Sequence, residues 1–189
     1  MMLSRLKTSL KRTPGRSIDG GAQSKHAAVA LVIRPNLDLL FIRRATQEGD
    51  PWSGHMALPG GRRDPSDPTL DFVARRETLE EVGVVLDPST LLGRMNDVAS
   101  PVRPSRLVVS PFVFAVQDDP ALVMDFREVA ACFWFGLDRL VSGEGRGTFP
   151  YVHGGRELVL PCVVLDGQRI WGMTLGIVDE LIERLTINA

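Results

Sequence analysis

The order of strand-like and helix-like segments is the feature of this sequence that most restricts its fold. Apolar, β-branched and aromatic runs predict six strands, at Ala27–Ile33, Leu39–Ile42, Leu91–Met95, Leu107–Val116, Val129–Phe135 and Leu158–Leu165. Helical patterns fall at Pro68–Val82 and Thr174–Leu185. Two strands that pair as a hairpin, then a helix, further strands and a closing helix predict an α+β fold. We expect an α/β/α sandwich in which a mixed β-sheet lies between helices.

The chain has 189 residues, which is the length of one domain of ordinary size. We predict a basic amino-terminal lead-in over residues 1–25, partly disordered, and a globular domain over residues 26–189. Within the lead-in, three leucines recur at helical spacing, so a short docked helix is the alternative to a solvated tail. They are Leu3, Leu6 and Leu10.

Composition and charge exclude several classes of partner. The net charge of −1 provides no bulk attraction to nucleic acid or to an anionic membrane, so we expect neither as a partner. No apolar stretch reaches the roughly 18 residues of a membrane span. Cys132 and Cys162 lie in apolar runs and match no zinc or redox motif, which predicts buried, reduced thiols. Without a secretory signal pattern, a cytoplasmic location is expected.

The helix at Pro68–Val82 carries an unusual group of carboxylates. Glu77, Glu80 and Glu81 stand at positions i, i+3 and i+4, which places them on one stripe about 100° wide. Their mutual repulsion, close to the negative end of the helix dipole, is unfavourable. A hard divalent cation such as Mg²⁺ would offset that repulsion, since it prefers oxygen ligands. Taken alone, the helix could equally present a solvated acidic face.

The ends of this helix also carry signals. Asp67 is predicted to be the N-cap, with Pro68 at the first helical position, and Gly83 is predicted to end the helix. The turn before the helix and the helix itself together resemble the Nudix box. The matching segments are Pro59-Gly60-Gly61-Arg62-Arg63 and Arg76-Glu77-Thr78-Leu79-Glu80-Glu81-Val82-Gly83-Val84.

Three departures from the generic Nudix box are visible. The interval from Gly61 to Arg76 is one residue longer, Asp67 or Pro68 stands where the first box glutamate is expected, and Thr78 replaces an aliphatic residue. The longer interval resembles the coenzyme A pyrophosphatase branch of the family, as do three further segments. These are Gly60–Pro65, the partly matching stretch from Leu39 to Gly61, and Ile170-Trp171-Gly172-Met173-Thr174.

The resemblance implies a Nudix fold and a metal-dependent hydrolase that cleaves a diphosphate linkage. The branch implies coenzyme A or its thioesters as substrate, with 3′,5′-ADP and (acyl-)4′-phosphopantetheine as products. Two alternatives stay open. One is a Nudix pyrophosphatase acting on ADP-ribose, NADH or nucleoside triphosphates, and the other is a non-catalytic Nudix-fold regulator that binds nucleotides. The resemblance also leaves a homodimer open.

Residue roles follow from the same resemblance. The metal, Mg²⁺ or Mn²⁺, would be bound by Glu77, Glu80 and Glu81 together with the carbonyl group of Gly61. The catalytic candidates are Glu77, Glu81 and the distal acid Glu128, which is one candidate for the general base. Four arginines flank the box and are candidates for binding the phosphates of the substrate, although each alone could be a surface residue. They are Arg43, Arg44, Arg62 and Arg63.

Overall fold

The computed structural model describes residues 2–19, 24–50, 52–100 and 107–186. In these ranges the helices are α1 (Met2–Arg12), α2 (Leu70–Val82), α3 (Leu137–Val141) and α4 (Gly172–Thr186). The strands are β1 (Lys25–Ile33), β2 (Asp38–Arg44), β3 (Met56–Ala57), β4 (Gly60–Arg62), β5 (Leu91–Arg94), β6 (Val98–Ala99), β7 (Leu107–Ala115), β8 (Val129–Gly136), β9 (Arg146–His153), β10 (Arg156–Leu165) and β11 (Gln168–Trp171). A single 3₁₀ turn covers Pro88–Thr90.

The larger sheet is mixed, as the sequence predicts. Its order is β3-β2-β1-β7-β5, and β4, β6 and β8 pair with β1, β7 and β2 respectively. The central strands β1 and β7 run parallel, whereas every other pairing in this sheet is antiparallel. A second, antiparallel sheet has the order β11-β10-β9.

Strand β1 is buried on both faces because helices cover the sheet from two sides. Alternate side chains of a strand point to opposite faces. One set packs with α2, namely Ala28, Ala30 and Val32, and the other packs with α1 and α4, namely Ala27, Leu31 and Ile33. The predicted α/β/α sandwich is therefore confirmed. It places α2 against β1 and against β4, the strand that contains Gly60 and Gly61.

The two ends of α2 differ in how well the sequence predicts them. Gly83 ends the helix in the left-handed conformation with φ of 71°, and its N–H donates to the carbonyl oxygen of Leu79, so this prediction is confirmed. The predicted N-cap is wrong. Thr69 is extended and caps the helix by accepting a hydrogen bond of 3.3 Å from the N–H of Phe72, which leaves Asp67 and Pro68 outside the helix.

The described part of the amino-terminal segment is packed against the domain. Leu6 and Leu10 of α1 are 0% and 2% exposed and join the core beside α4. Beyond α1, the carbonyl oxygen of Thr13 accepts a hydrogen bond of 2.8 Å from Arg184, and the N–H of Gly15 donates to the carbonyl oxygen of Arg94. A solvated tail is therefore wrong for residues 2–19, and the docked helix is found. The domain boundary at residue 26 stays a prediction.

None of the six strands predicted from the sequence covers β9, Arg146–His153. This strand pairs with β10 through a tight turn in which Gly154 and Gly155 both have positive φ angles, 57° and 75°. Such a pair of glycines is a hairpin signal. Within the described ranges, no helix is both long enough and apolar enough to cross a membrane.

Candidate active site

Glu81 lies at the centre of the candidate site, on the face of α2 that packs against the sheet. Glu81 is 2% exposed, and its carboxylate accepts a hydrogen bond of 2.8 Å from the N–H of Gly60. Burial raises the pKa of Glu81 to about 8, although the Gly60 hydrogen bond acts in the opposite direction. The charge of Glu77 raises the same pKa further. A carboxylate is thus held in a place that disfavours its negative charge.

Glu77 lies one helical turn before Glu81, against the main chain of Gly61. A Cβ atom at position 61 would lie 2.5 Å from Oε1 of Glu77, so this position accommodates glycine and no larger residue without displacing the carboxylate. Burial raises the pKa of Glu77, and hydrogen bonding and charge from Arg76 act in the opposite direction. The sequence predicts Glu77 and Gly61 to share a metal ion, and the fold brings them into contact.

Glu128 reaches the same region from the turn before β8. The N–H of Asp125 donates to the carbonyl oxygen of Glu81 over 3.0 Å, and the N–H of Glu128 donates to Asp125 over 2.9 Å. The turn is therefore fastened to the end of α2. The charge of Glu128 raises the pKa of both Glu77 and Glu81, so the structure brings the predicted distal acid close to the box carboxylates. Glu128 itself is exposed to solvent.

Arg76 links the carboxylates to the loop before the helix. Its guanidinium group binds Asp67, which is buried, and also contacts Glu77 at 2.9 Å and Glu80 at 3.0 Å. The hydrogen bonds from Arg76 lower the pKa of Asp67. Asp67 therefore fills a structural role in this loop without capping the helix.

Glu80 is turned towards solvent, with 58% of its side chain exposed, where it meets Arg76. As a result, the described part of the chain contains no group of three His, Cys, Asp or Glu side chains that already converge on one point. To join Glu77 and Glu81 at a cation, the Glu80 side chain would have to leave Arg76. The rotation is available to an exposed side chain at low cost.

The four predicted phosphate-binding arginines fall in different places. Arg44 lies near Glu81, whose pKa its charge lowers, and forms an ion pair of 3.0 Å with Asp50. Arg62 is the last residue of β4 and Arg63 follows it, beside α2. Arg43 is separated from them, since it lies over the ring of Phe133, which packs with the core on the side of α1 and α4.

The donors at this site suit a hard divalent cation. All of them are oxygen atoms, from Glu77, Glu80, Glu81 and the carbonyl group of Gly61, and Mg²⁺ and Mn²⁺ prefer such ligands. Burial and the charge of Glu77 raise the pKa of Glu81, and a bound cation would offset both effects. The chemistry of the donor set and the contact between Gly61 and Glu77 thus both fit a metal ion.

A group of basic residues beside the site carries no signal in the sequence. Pairing of β1 with β4 brings Lys25 and His26 next to Arg62 and Arg63, and such pairing between distant segments cannot be read from local patterns.

Cys132 lies near Glu81, close enough for the charge of the carboxylate to affect the pKa of the thiol. Burial, followed by the charge of Glu81, raises the pKa of the Cys132 thiol to about 11, which disfavours the thiolate. Cys162 is buried as predicted, whereas Cys132 is only half-buried.

Comparison with known proteins defines the class. The family model of the NUDIX domain matches residues 24–152, and the chain therefore belongs to the Nudix family and is a Nudix pyrophosphohydrolase. The chain is 31% identical to the Nudix hydrolase NudL of Yersinia enterocolitica over 168 residues, which cover 88% of this chain and 84% of that protein.

Two further relatives match over smaller shares of their length. The mitochondrial coenzyme A diphosphatase NUDT8 of Homo sapiens is 27% identical over 148 residues, covering 78% of this chain and 62% of that protein. A Schizosaccharomyces pombe protein, C14C4.10c, is 36% identical over 111 residues, or 56% of this chain and 34% of its own length. The chain thus spans only about a third of that yeast protein.

Solved structures agree on the fold. The NUDIX domain of Shewanella oneidensis NrtR, complexed with ADP ribose, superposes with a TM-score of 0.59 at 17% identity, covering 88% of this chain and 91% of that one. A MutT/nudix family protein from Enterococcus faecalis gives a TM-score of 0.56 at 16% identity, covering 94% of this chain and 67% of that one. At these identities the superpositions show a shared Nudix fold and nothing about substrate.

Proposed function

We propose that this Nudix pyrophosphohydrolase cleaves the diphosphate linkage of coenzyme A or its thioesters, producing 3′,5′-ADP and (acyl-)4′-phosphopantetheine. The observation that carries the proposal is the 27% identity, over 78% of this chain, to a human coenzyme A diphosphatase. The segments Gly60–Pro65 and Ile170–Thr174, which resemble the coenzyme A branch, support the same substrate.

The proposed metal ligands are Glu77, Glu80, Glu81 and the carbonyl group of Gly61, and the ion is Mg²⁺ or Mn²⁺. When bound, the ion supplies positive charge that offsets the repulsion between the diphosphate and an incoming nucleophile. The Glu77 carboxylate lies against Gly61, and the N–H of Gly60 donates a hydrogen bond to Glu81. Arg76 contacts both Glu77 and Glu80, and Glu80 would leave Arg76 to reach the ion.

Glu128 is the proposed general base that accepts a proton from the attacking water. Its solvent exposure lets water reach the carboxylate, and the turn fastened to α2 holds it near Glu77 and Glu81. A positioned base contributes roughly 10² to 10⁴ in rate. Such a base operates by drawing the proton away while the oxygen attacks phosphorus.

The proposed phosphate contacts come from Arg44, Arg62 and Arg63, which share the α2 side of the site with the carboxylates. A guanidinium group can bind two phosphate oxygens at once. Arg43 lies on the other side of the sheet, so we assign it no diphosphate contact. The unpaired thiols of Cys132 and Cys162 support the further proposal that the protein works in a reducing, cytoplasmic compartment.

The test is product analysis by mass spectrometry. Purified protein with Mg²⁺ or Mn²⁺ is incubated with coenzyme A, ADP-ribose, NADH and deoxynucleoside triphosphates, each at equal concentration. We expect coenzyme A to be cleaved preferentially, with 3′,5′-ADP as one product. Preferential cleavage of ADP-ribose, NADH or a nucleoside triphosphate would overturn the proposed substrate and retain the Nudix chemistry.

A further inference from the structure

An open cavity of about 450 Å³ lies beside strand β4, which also contains Gly61, the residue in contact with Glu77. Its lining includes Lys25, His26, Arg62, Arg63 and Asp64. The cavity exists because β1 and β4 pair antiparallel with Ala27 opposite Arg62, which brings the first residues of β1 beside Arg62 and Arg63. Its walls therefore come from two segments that are distant in the sequence.

The charge in this cavity is predominantly positive and is not cancelled. Within the described ranges, the side chains of Lys25 and Arg62 form no ion pair, although both residues are exposed. Arg63 donates to the carbonyl oxygens of Asp67, at 3.0 Å, and Pro68, at 3.5 Å. Those neutral partners orient the guanidinium group without neutralising its charge.

Among the described residues that line the cavity, Asp64 is the one carboxylate, and it has its own donors. It accepts hydrogen bonds from the N–H of Ser66 at 2.8 Å and from the hydroxyl group of Ser66 at 2.6 Å. Asp67, whose carbonyl oxygen accepts from Arg63, has its carboxylate paired with Arg76. Three cations against one locally satisfied carboxylate leave the cavity suited to a ligand that carries more than one negative charge.

The cavity is also close to the candidate active site. Arg62 directly follows Gly61, whose main chain contacts Glu77, and the carbonyl oxygen of Arg62 accepts a hydrogen bond of 3.3 Å from Arg76. A small molecule whose diphosphate lies at Glu77 and Glu81 could therefore place a second anionic group beside Arg62. The cavity is too near that site to be an independent one.

We propose that this cavity binds a phosphomonoester group of the substrate, the 3′-phosphate of the adenosine moiety. A phosphomonoester carries a charge of about −1.5 to −2 at pH 7 and three acceptor oxygens, which arginine forks and a lysine ammonium group match. The assignment rests on the proposed function, because coenzyme A carries a 3′-phosphate, whereas ADP-ribose and NADH do not. Lys25, Arg62 and Arg63 would then determine substrate specificity.

Direct binding tests the cavity without requiring catalysis. Calorimetry compares 3′,5′-ADP with 5′-AMP, which differ only in the 3′-phosphate, using the full chain and Mg²⁺. We expect 3′,5′-ADP to bind about tenfold more tightly, the combined gain of several charge-assisted contacts at an open surface. The double variant Lys25→Gln/Arg62→Gln should bind the two nucleotides equally, whereas Lys11→Gln, an exposed change on α1, should keep the preference.

Equal binding of the two nucleotides by the wild type would overturn the assignment, and so would a preference that survives in the double variant. The preference should also weaken as salt is raised, since it is electrostatic. A separate turnover assay with coenzyme A and dephospho-coenzyme A reports on the proposed function. If neither is cleaved while the nucleotide preference holds, the proposed function fails and the cavity stands; if coenzyme A is cleaved but the preference is absent, the cavity assignment fails alone.

Discussion

At the scale of single residues, Glu81 connects stability to pH. Its pKa is 4.5 as a free side chain and about 8 in the folded, metal-free protein. The folded state therefore holds one more proton than the unfolded state between these values. Because of this, the free energy of unfolding falls as pH rises from about 4.5 to about 8, and the contribution of Glu81 is fully favourable only below that window.

Replacing Glu81 with glutamine should remove this pH dependence. Glutamine keeps an oxygen acceptor for the N–H of Gly60 and carries no charge, so we expect metal-free Glu81→Gln to be about 2 kcal/mol more stable than the wild type at pH 8. The difference should shrink towards pH 5. Urea unfolding in the presence of a chelator at several pH values measures it.

The same variant should lose metal-dependent turnover while remaining folded. Glu183→Gln, on the exposed side of α4, is the control and should match the wild type in both stability and rate. A difference between Glu81→Gln and wild type that is constant with pH would contradict the raised pKa. Turnover at the wild-type rate would contradict the assignment of Glu81 to the site.

Gly61 shows how one missing side chain positions a carboxylate. A Cβ atom there would displace the carboxylate of Glu77. Because this carboxylate is the end of a flexible side chain, it can rotate away without a change in the backbone. We expect Gly61→Ala to retain its melting temperature within a few degrees and to lose at least tenfold in kcat, the size expected for misplacing a reacting group. Gly176→Ala on α4, where an added Cβ meets nothing within 4 Å, is the matched control.

At the scale of elements, the start of α2 depends on Thr69. Its hydroxyl oxygen accepts the N–H of Phe72, so Thr69→Ala should lower the free energy of unfolding by about 1 kcal/mol. Thr46→Ala, at an exposed loop position, should change it by less than about 0.5 kcal/mol. Chemical denaturation compares them. Equal stabilities of the two variants would show that Thr69 is not the cap.

The error over Asp67 shows what local patterns cannot resolve. Asp67 and Thr69 are both good N-caps, and the sequence places Pro68 between them. The choice is made by Arg76, nine positions further on, which binds Asp67 in the loop and leaves Thr69 to begin the helix. The box glutamates, by contrast, lie on one helix, so their common face is visible from spacing alone.

Strand prediction divides in the same way. The continuous apolar run Ala27–Ile33 is recognisable because a strand buried on both faces needs apolar side chains throughout. Strand β9 was missed because Arg146, Gly147 and Thr148 form a strand only through pairing with β10. Lys25 and Arg62 meet by the same kind of pairing, which explains why the basic cavity could not be predicted while the carboxylate site could.

At the scale of the whole molecule, α1 completes the layer that covers the sheet opposite α2. Leu6 is fully buried in that layer, so Leu6→Ala should lower the free energy of unfolding by about 2 to 4 kcal/mol. Lys7→Ala, on the exposed face of the same helix, should have little effect. If Leu6→Ala unfolded at the wild-type denaturant concentration, α1 would not be part of the cooperative unit.

The packing of α1 on α4 has a consequence for synthesis. The hydrogen bond from Arg184 to Thr13 joins groups that leave the ribosome far apart in time. Until α4 emerges, α1 lacks one of the surfaces against which Leu6 and Leu10 are buried, the other being the sheet. Nascent chains halted before α4 should therefore expose these leucines to chaperones. Once α4 has left the ribosome, the leucines should be buried and chaperone binding should be lost.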